Sequence, residues 1–352
     1  MLAEMSHHQP VQKPTWKWDV NDHRDSFRAA LGEWFERDGC DYPWRRTQDP
    51  YAILVSEIML QQTQISTVLN RGFYTRFMQA FPDIPSLAAA DDDRLLKIWE
   101  GLGYYRRARL LRDAARAIIR DHAGVFPRDF EAILALPGVG RYTAGAVASF
   151  AFGHAAPVVD GNVARVISRL MDAHAPIDQR DMQKQLWAWA EAWLDPAAPG
   201  RHNSAMMELG QTHCRKSAPS CHACPVAGFC RTREPASLPQ KTPRPATIKT
   251  TEQVVFARRG DQVLLRQLGA GRRQGMWRLP EREPSESRPI IAEHTYGITK
   301  YRVTMRVHSP PPHLRARRGE HWQPIEAMDH LAIPPSDRAV LEKLLQSDEE
   351  FA

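Results

Sequence analysis

The chain of 352 residues is 43% hydrophobic and 25% charged, and its formal net charge is +6. This composition is that of an ordinary globular protein, and the length favours two domains. It excludes a disulfide-stapled mini-domain, and no apolar run is long enough to cross a bilayer. We therefore expect a cytoplasmic protein with no membrane partner, whose positive charge favours a polyanion such as DNA.

The first two thirds of the chain are predicted to be helical. Residues 1–14 have no apolar periodicity, which is typical of a disordered leader. From residue 15 to residue 230, apolar residues recur at helical spacing, first at Phe27, Leu31 and Trp34. This region is predicted to be an all-α domain.

One helical pattern, over residues 55–64, contains an acid. Glu57, Leu60 and Gln61 stand at positions i, i+3 and i+4, so they share one face of the predicted helix. A lone glutamate at such a position is most often a solvated or ion-paired surface residue. The pattern alone therefore does not assign Glu57 a role.

A glycine-containing turn joins two further helical patterns in the segment Leu136-Pro-Gly-Val-Gly-Arg-Tyr-Thr-Ala144. Because Gly138 and Gly140 carry no side chain, the turn can bring backbone N–H groups against a phosphate. An ordinary tight connection between helices could contain the same glycines. The spacing alone leaves both interpretations open.

Asp160 and Asn162 precede the helical pattern that starts at Val163. An aspartate and an asparagine at a helix start most often cap the unpaired N–H groups of the first turn. A carboxylate at this position is also kept ionised by the field of the helix. Capping and a chemical role for Asp160 are therefore compatible.

Four of the five cysteines, Cys214, Cys221, Cys224 and Cys230, lie within seventeen residues. Zinc sites usually contain two close pairs, whereas this spacing has one close pair flanked by wider gaps. Disulfides are not expected, because no secretory segment is recognisable and the compartment is read as reducing. Four clustered thiolates suit an iron–sulfur cluster, although the spacing is not that of a ferredoxin.

A change of pattern follows the cysteines. Between residues 231 and 250 prolines stand among basic residues, which disfavours helix and sheet alike and predicts a linker. From residue 251 to residue 352 apolar residues alternate, most clearly at Val303, Met305 and Val307, and Ser336 is a candidate N-cap for a closing helix. The second domain is predicted to be α+β.

Together these motifs resemble the endonuclease III superfamily of helix-hairpin-helix DNA glycosylases. The cysteine spacing is similar to the [4Fe–4S] loop of that superfamily, and residues 136–144 are similar to its hairpin. Leu60-Gln-Gln-Thr-Gln64 resembles the signature of the MutY adenine DNA glycosylases within it. The resemblance implies an all-α helix-hairpin-helix domain with a [4Fe–4S] loop, followed by an α+β Nudix-like domain.

The resemblance also implies a reaction in base-excision repair. The enzyme would flip an adenine mispaired with 8-oxoguanine or guanine out of double-stranded DNA and hydrolyse its N-glycosidic bond, leaving an abasic site. Glu57 would be a protonated general acid, and an ionised Asp160, held by Asn162, would stabilise the cationic sugar. Tyr142 matches a tyrosine packed against these groups. The residues that match the adenine pocket are Trp44, Arg45, Leu60 and Glu208.

Several DNA contacts follow from the same resemblance. Tyr104, in the segment Gly101–Ala108, would wedge into the base stack, although this segment alone indicates only an aromatic residue packed between helices. The hairpin would bind the DNA backbone with the help of a bridging monovalent or divalent cation. The other residues implied to contact DNA are Gln61, Gln62, Gly138, Val139, Gly140, Arg215 and Lys216.

Tyr142 separates two branches of the superfamily. In the endonuclease III branch, the residue after Gly-Val-Gly-Arg is a lysine that attacks the sugar as a Schiff-base nucleophile. Tyr142 has no amine, so the resemblance implies a monofunctional glycosylase, which we expect to act as a monomer at the nucleoid of a bacterial cytoplasm. The alternative is an endonuclease III-like glycosylase and lyase acting on oxidised pyrimidines.

The second domain resembles the Nudix-derived module that reads 8-oxoguanine opposite adenine. Residues 274–280 resemble its central strand, but the sequence contains no Nudix hydrolase box. The loop that touches the oxidised guanine aligns best with Thr299 and Lys300, where the family has a serine and a histidine. A flexible cation replaces a planar donor at Lys300, so this contact is expected to depart from the family.

Overall fold

The computed structural model describes residues 23–243, 245–271, 273–283 and 288–349. The predicted leader, residues 1–14, lies outside these ranges. Within them, α-helices and short 3-10 helices occupy the chain as far as residue 237, and the first strand begins at residue 248. The prediction of an all-α region followed by a region with sheets is thus confirmed.

Amphipathic patterning and turn residues set the helices of the all-α region. Gly153, for example, ends one of them with a φ of +68°, a left-handed conformation that glycine adopts easily. No described helix is long and apolar enough to cross a membrane. In the described residues the α-helices of this region are α1 (Arg24–Asp38), α2 (Pro50–Leu60), α3 (Ile65–Asn70), α4 (Phe73–Ala80), α5 (Ile84–Ala88), α6 (Asp92–Ile98), α7 (Arg106–His122), α8 (Phe130–Leu134), α9 (Arg141–Phe152), α10 (Gly161–Leu170), α11 (Arg180–Trp193) and α12 (Pro199–Thr212).

The chain divides into two compact units that do not follow the sequence order. Unit 1 contains the residues as far as Ile53, Arg128–Leu134 and Gly140–Thr242. Unit 2 contains Leu54–Pro127, Ala135–Val139 and the chain from Pro243 onwards. Helices α3 to α7, and α2 from Leu54 onwards, therefore group with the sheet region.

The core of unit 1 joins α1 to the helices that follow the hairpin. Phe27 of α1 is fully buried and meets Trp193 of α11 edge to face, with ring centroids 4.5 Å apart. Val166 and Leu209, from α10 and α12, belong to the same buried cluster. Three of the four clustered cysteines, Cys214, Cys224 and Cys230, pack against this cluster. The core thus fixes both the start of α10 and the cysteine loop.

Two sheets and a closing helix form the C-terminal part of unit 2. In one sheet, β6 lies between β1, to which it is parallel, and β5, to which it is antiparallel; in the other, β3 pairs antiparallel with β2, β4 and β7. The elements are β1 (Ile248–Val255), β2 (Arg258–Arg259), β3 (Gln262–Gln267), β4 (Trp277–Arg278), β5 (Ile290–Ile298), β6 (Tyr301–His308), β7 (Glu320–Pro324) and α13 (Pro335–Glu349).

The alternation that predicted strands is explained by burial in this region. Val303, Met305 and Val307 of β6 are each at most 2% exposed, because they face the core of the sheets. The prediction of Ser336 as an N-cap is wrong, because α13 begins one residue earlier, at Pro335. Proline is favoured in the first turn of a helix, where its missing N–H costs no hydrogen bond.

Part of the predicted linker, residues 231–242, lies against unit 1. The backbone N–H of Arg231 donates to the carbonyl of Leu170 over 3.1 Å, and that of Thr242 donates to Asp178 over 3.0 Å. Strand β1 begins at Ile248, before the predicted boundary at residue 251.

Within unit 2, one arginine holds the loop before β4 against the helices. Arg109 of α7 donates from Nε to Asp92 over 3.1 Å, and its Nη2 donates to the carbonyl of Gln274. Gly275 has a φ of +77°, a backbone conformation that favours glycine. In addition, Arg338 of α13 forms an ion pair with Glu100.

Candidate functional site

Glu57 lies on α2 and its side chain is 3% exposed. Leu54 and Ile58, its neighbours on the helix, are each 2% exposed. The interpretation of Glu57 as a solvated surface residue is therefore wrong. A carboxyl group is placed where water has almost no access, at the part of α2 that leads to Leu60 and Gln61.

Arg107 of α7 ties the end of α2 to the loop that carries Tyr104. Its two terminal nitrogens donate to carbonyl oxygens of both segments, those of Ile58, Met59, Gln61, Leu102 and Gly103. Burial lowers the pKa of Arg107 to about 10, so the guanidinium remains charged at neutral pH. Sequence patterns did not single out this residue, although it stands in the segment Gly101–Ala108.

Tyr104 is an exposed aromatic residue in an unusual backbone conformation. It is 48% exposed and its φ is +47°, and it follows Gly101 and Gly103, which also have positive φ. The Arg107 guanidinium lies 5.4 Å from the centroid of its ring. Tyr105, which is 5% exposed, is the packed aromatic residue of this segment, so a packed role for Tyr104 is excluded.

A cavity of about 1080 Å³ opens in unit 2 beside Tyr104. One wall comes from the helices and the other from β5 and the loop before β4. The residues that line it include Gln61, Gln62, Tyr104, Arg273, Tyr296 and Thr299. The structure thus brings three predicted DNA-contacting residues together with one of the two predicted lesion-reading residues.

Thr299 and Lys300 form the two-residue turn between β5 and β6. Thr299 has a φ of +54°, which is rare for a β-branched residue and therefore indicates local strain. Lys300 is not among the described residues that line the cavity; its Nζ lies 5.5 Å from the centroid of the Tyr301 ring. The turn therefore directs only Thr299 towards the cavity.

The predicted hairpin joins α8 to α9. Gly138 has a φ of +77°, and a Cβ there would lie 2.6 Å from Cβ of Leu110, so glycine is required by both conformation and space. The N–H of Val139 donates to the carbonyl of Leu136 over 3.1 Å, which closes the turn. Gly140 precedes α9, and no described atom lies within 4 Å of where its Cβ would be. The backbone at Gly140 is thus accessible to a partner.

Asp160 caps α10, as predicted from sequence. Its Oδ1 accepts hydrogen bonds from the N–H groups of Asn162 and Val163 over 2.9 and 2.7 Å, and its Oδ2 accepts one from the Asn162 amide over 2.9 Å. Burial raises the pKa of Asp160, and these three hydrogen bonds oppose the shift because they favour the ionised form. The side chain is thus strongly oriented, and Asn162 holds it.

Arg165 connects the Asp160 cap to the cysteine loop. Its Nη2 donates to Asn162 Oδ1 over 2.9 Å and to the carbonyl of Gly210 over 2.6 Å, and its Nε donates to the carbonyl of Cys214 over 2.7 Å. Sequence patterns did not reveal this residue, because its partners are distant along the chain. Only its position close to Asp160 along the chain could have indicated a role for Arg165.

The predicted adenine-pocket residues of unit 1 lie together. Arg45 forms a hydrogen-bonded ion pair with Glu208, whose side chain is 1% exposed. Glu208 also accepts a hydrogen bond from the N–H of Cys40 over 2.7 Å, and Trp44 is 8% exposed. Leu60, the fourth predicted pocket residue, belongs to unit 2, as does Glu57.

Tyr142 lies in the first turn of α9, in unit 1 with Asp160. Its hydroxyl is 3.9 Å from the sulfur of Met207, and its ring packs against the core of unit 1. The residue offers a phenol where the lyase branch has an amine. No Schiff base can form with it.

Two cysteines of the loop, Cys214 and Cys230, contact Arg169 of α10. Arg169 Nη1 is 3.3 Å from Cys214 Sγ, and Cys230 Sγ donates to the carbonyl of Arg169 over 3.4 Å. Burial, together with the charges of the other three cysteines, raises the pKa of Cys224 to about 12. In the described part of the chain, no three His, Cys, Asp or Glu side chains are close enough to hold a single metal ion.

Comparisons with known proteins agree with this fold. Residues 55–192 match the HhH-GPD superfamily of base excision DNA repair proteins. The chain is 45% identical to the adenine DNA glycosylase of Homo sapiens over 218 residues, which cover 59% of this chain and 40% of the human protein. It is 40% identical to the adenine DNA glycosylase of Mycolicibacterium smegmatis, covering 61% of this chain and 71% of that protein. A thermostable thymine-DNA glycosylase structure is 32% identical with a TM-score of 0.55, covering 60% of this chain and 96% of that one.

The fold and these matches define a helix-hairpin-helix base excision repair protein of the HhH-GPD class. Within this class, the chain belongs to the adenine DNA glycosylase family, as the coverage of the mycobacterial relative shows. The chain spans less than half the length of the human relative that it matches.

Proposed function

We propose that this protein is a DNA glycosylase that removes adenine paired with 8-oxoguanine or guanine in double-stranded DNA. The observation that carries the proposal is the buried Glu57 carboxyl on a helix whose end Arg107 joins to the exposed Tyr104 loop. The proposed wedge, Tyr104, and the proposed acid, Glu57, thus lie on two segments that the Arg107 side chain joins. A glycosylase needs both, because the base must leave the stack before its bond to the sugar can be broken.

The wedge is proposed to offset the cost of opening the duplex. Flipping a nucleotide costs a few kcal/mol in lost stacking and pairing. The exposed ring of Tyr104 would fill the gap in the stack, while Gln61 and Gln62, which line the same cavity, would contact the neighbouring bases. The hairpin at Gly138–Gly140 would hold the backbone through its N–H groups, with a cation where one is bound.

The two carboxyl groups are proposed to act in different charge states. Neutral adenine is a poor leaving group, so Glu57 would donate a proton to a ring nitrogen; burial disfavours the charged form of a carboxyl group and so keeps the proton available. Asp160 would face the oxocarbenium-like sugar as an anion, because three hydrogen bonds stabilise that form. Trp44, Arg45, Leu60 and Glu208 would line the adenine pocket.

We propose that the product is an intact abasic site. Tyr142 cannot form the Schiff base that a lyase uses, so the DNA strand should break only on later treatment with alkali. Borohydride added during the reaction is expected to trap no covalent complex, as judged by denaturing gel electrophoresis. A stoichiometric adduct would instead support the alternative, a glycosylase and lyase acting on oxidised pyrimidines.

Cys214, Cys221, Cys224 and Cys230 are proposed to hold a [4Fe–4S] cluster. The donor set fits in its chemistry, because Cys224 lies near enough to the other three thiols for their charges to raise its pKa, and four thiolates suit such a cluster. A buried thiol such as Cys224 becomes a thiolate when it binds a metal. A bound cluster would fix the loop that presents Arg215 and Lys216, whose cations would meet DNA phosphates.

The purified protein is therefore expected to be yellow-brown and to contain iron and sulfide. Cys221→Ser should weaken DNA binding or solubility before it changes the chemical step, because the cluster holds a phosphate-binding loop. Iron and sulfide analysis, DNA binding and single-turnover excision would be measured together. A colourless protein with one zinc ion and full activity would contradict the assignment.

The sheet region of unit 2 is proposed to be a Nudix-like lesion reader. Thr299 reaches the cavity from the β5–β6 turn, where its hydroxyl could bond the edge of 8-oxoguanine, while Lys300 would support an adjacent phosphate. We further propose that the protein acts as a monomer on nucleoid DNA in a bacterial cytoplasm.

The decisive test is a glycosylase assay on duplexes that contain adenine opposite 8-oxoguanine, guanine or thymine, with a thymine glycol duplex for the alternative. Excision of adenine, fastest opposite 8-oxoguanine, is expected. Activity on thymine glycol alone would reject the proposed function.

A further inference from the structure

The cavity wall contains an arginine–tyrosine pair that sequence patterns did not reveal. Arg273 lies in the loop before β4, and Tyr296 lies on β5. We propose that these two residues form the subsite for the base opposite the excised adenine, with Arg273 supplying the planar donor that the turn at Lys300 lacks. The inference rests on the proposed function and names the residues that determine its selectivity.

The pair is held in a fixed arrangement. The guanidinium carbon of Arg273 lies 4.9 Å from the centroid of the Tyr296 ring, and its Nη1 donates to the Tyr296 hydroxyl over 3.3 Å. The hydroxyl in turn donates to Glu252 over 2.8 Å. Nη1 also lies 3.7 Å from Asp337, whose side chain is fully buried. The ring and the guanidinium are therefore oriented before any DNA binds.

The guanidinium keeps donors for a ligand. All the polar contacts of Arg273 use Nη1, and no described residue accepts a hydrogen bond from its Nε or Nη2. The side chain is 16% exposed and lines the cavity with Tyr104 and Gln61. In 8-oxoguanine N7 carries a hydrogen and no longer accepts, so the donors of Arg273 would meet the C8 carbonyl oxygen, whose two lone pairs can accept from both N–H groups. In 8-oxoguanine the extra carbonyl oxygen provides an acceptor where guanine has a C–H group.

The acids beneath the pair have a second arginine partner, Arg278. Arg278 pairs with Glu252 over 2.6 Å and with Asp337 over 3.3 Å. Asp337 also accepts a hydrogen bond from the N–H of Leu279 over 3.3 Å. A purely structural role for Arg273 is thus already filled by Arg278, which leaves the Arg273 fork available for recognition.

The turn between β5 and β6 offers less to the same base. Lys300 does not belong to the described cavity lining, and its carbonyl accepts a hydrogen bond from the N–H of Ile248 over 2.9 Å. A lysine also lacks the planar fork of an arginine. Thr299 and Arg273, which both line the cavity, would therefore contact the same base.

The test uses the full chain and single-turnover excision of adenine opposite 8-oxoguanine and opposite guanine. Arg273→Gln is expected to lower the ratio of the two rates by on the order of tenfold, as for one lost bidentate contact. Arg273→Lys should lower it similarly, because the charge remains but the fork is lost. Tyr296→Phe keeps the ring but removes the hydroxyl that orients Arg273, so a smaller decrease is expected.

Arg259 provides a matched control. Its guanidinium lies 4.5 Å above the Trp322 ring, so it forms a similar stack, but neither residue belongs to the described cavity lining. Arg259→Gln should leave the ratio unchanged. If Arg273→Gln fails to fold, as judged by thermal unfolding, Arg273→Lys decides the question.

An unchanged ratio in the folded Arg273 variants would overturn the inference while leaving the proposed function intact. A ratio that falls in Lys300→Ala and not in the Arg273 variants would overturn it as well, in favour of the turn. If the unmodified protein removes adenine opposite no base, the proposed function fails and the inference fails with it.

Discussion

Replacement of Glu57 by glutamine is expected to slow adenine excision by about 10²–10⁴-fold, the usual effect of removing a general acid. Glutamine has nearly the same shape and fits the same buried position on α2, so the fold and the binding of lesion DNA should be retained. Single-turnover rates on a duplex with adenine opposite 8-oxoguanine would measure the chemical step. Equilibrium binding to the same duplex would measure recognition separately.

Glu33 of α1 is a suitable control for this substitution. Its side chain is exposed, so Glu33→Gln removes one carboxylate from a helix without changing a buried group. Its excision rate should equal that of the unmodified protein. Excision by Glu57→Gln at close to the normal rate would show that another group donates the proton, and the proposed mechanism would be abandoned.

Local patterns predicted much of the fold and part of the candidate site. The cap at Asp160 was predictable, because a capping side chain bonds to N–H groups within three residues. The helical region and the strand at Val303–Val307 were predictable from period alone, since burial of one face imposes that period. The family resemblance supplied the roles of Glu57 and Tyr142, which no local pattern contains.

Long-range contacts could not be predicted in this way. Arg107 bonds to carbonyls of α2 more than forty residues earlier, and Arg165 bonds to Cys214. The loop with Arg273 is held by a hydrogen bond from Arg109 to the carbonyl of Gln274, far away along the chain. Such contacts depend on how helices and strands pack, and their hydrogen bonds go to backbone carbonyls, which every residue has. Sequence type therefore carries little information about them.

The grouping of α3 to α7 with the sheets could not be predicted either, because it also depends on long-range contacts. The sequence indicated a division near residues 231–250, where prolines interrupt regular structure. Compactness depends instead on the contacts that the side chains make, such as the ion pair between Arg338 and Glu100. A change of secondary structure along the chain is therefore a poor guide to which helices pack with a sheet.

Asp160→Asn is expected to reduce excision by about 10²–10³-fold, comparable to the loss of one electrostatic contact to a transition state. Asparagine caps a helix about as well as aspartate, so the variant should remain folded. The Asp160→Asn protein should still bind lesion DNA. Excision at the normal rate would show that no anion is needed at this position.

The difference in stability between Asp160→Asn and the unmodified protein should change with pH in a defined direction. Burial raises the pKa of Asp160, so the folded state binds this proton more tightly than the unfolded state does. The protonated Asp160 side chain contributes fully to the free energy of unfolding below the ordinary carboxyl pKa. This contribution is lost as the pH rises through the raised pKa of the folded state. Asparagine does not titrate, so the variant should gain stability relative to the unmodified protein over this rise, as measured by urea unfolding at a series of pH values.

Asp83 provides a control of opposite sign. It caps α5, and the hydrogen bond from the N–H of Ser86 lowers its pKa, so its contribution is present above the ordinary carboxyl pKa and is lost as the pH falls. Asp83→Asn should therefore lose stability relative to the unmodified protein as the pH rises. The same trend in both variants would show that burial does not dominate at Asp160. Opposite trends would show that the protein keeps a buried carboxylate at a cost in stability, which is expected of a group retained for chemistry.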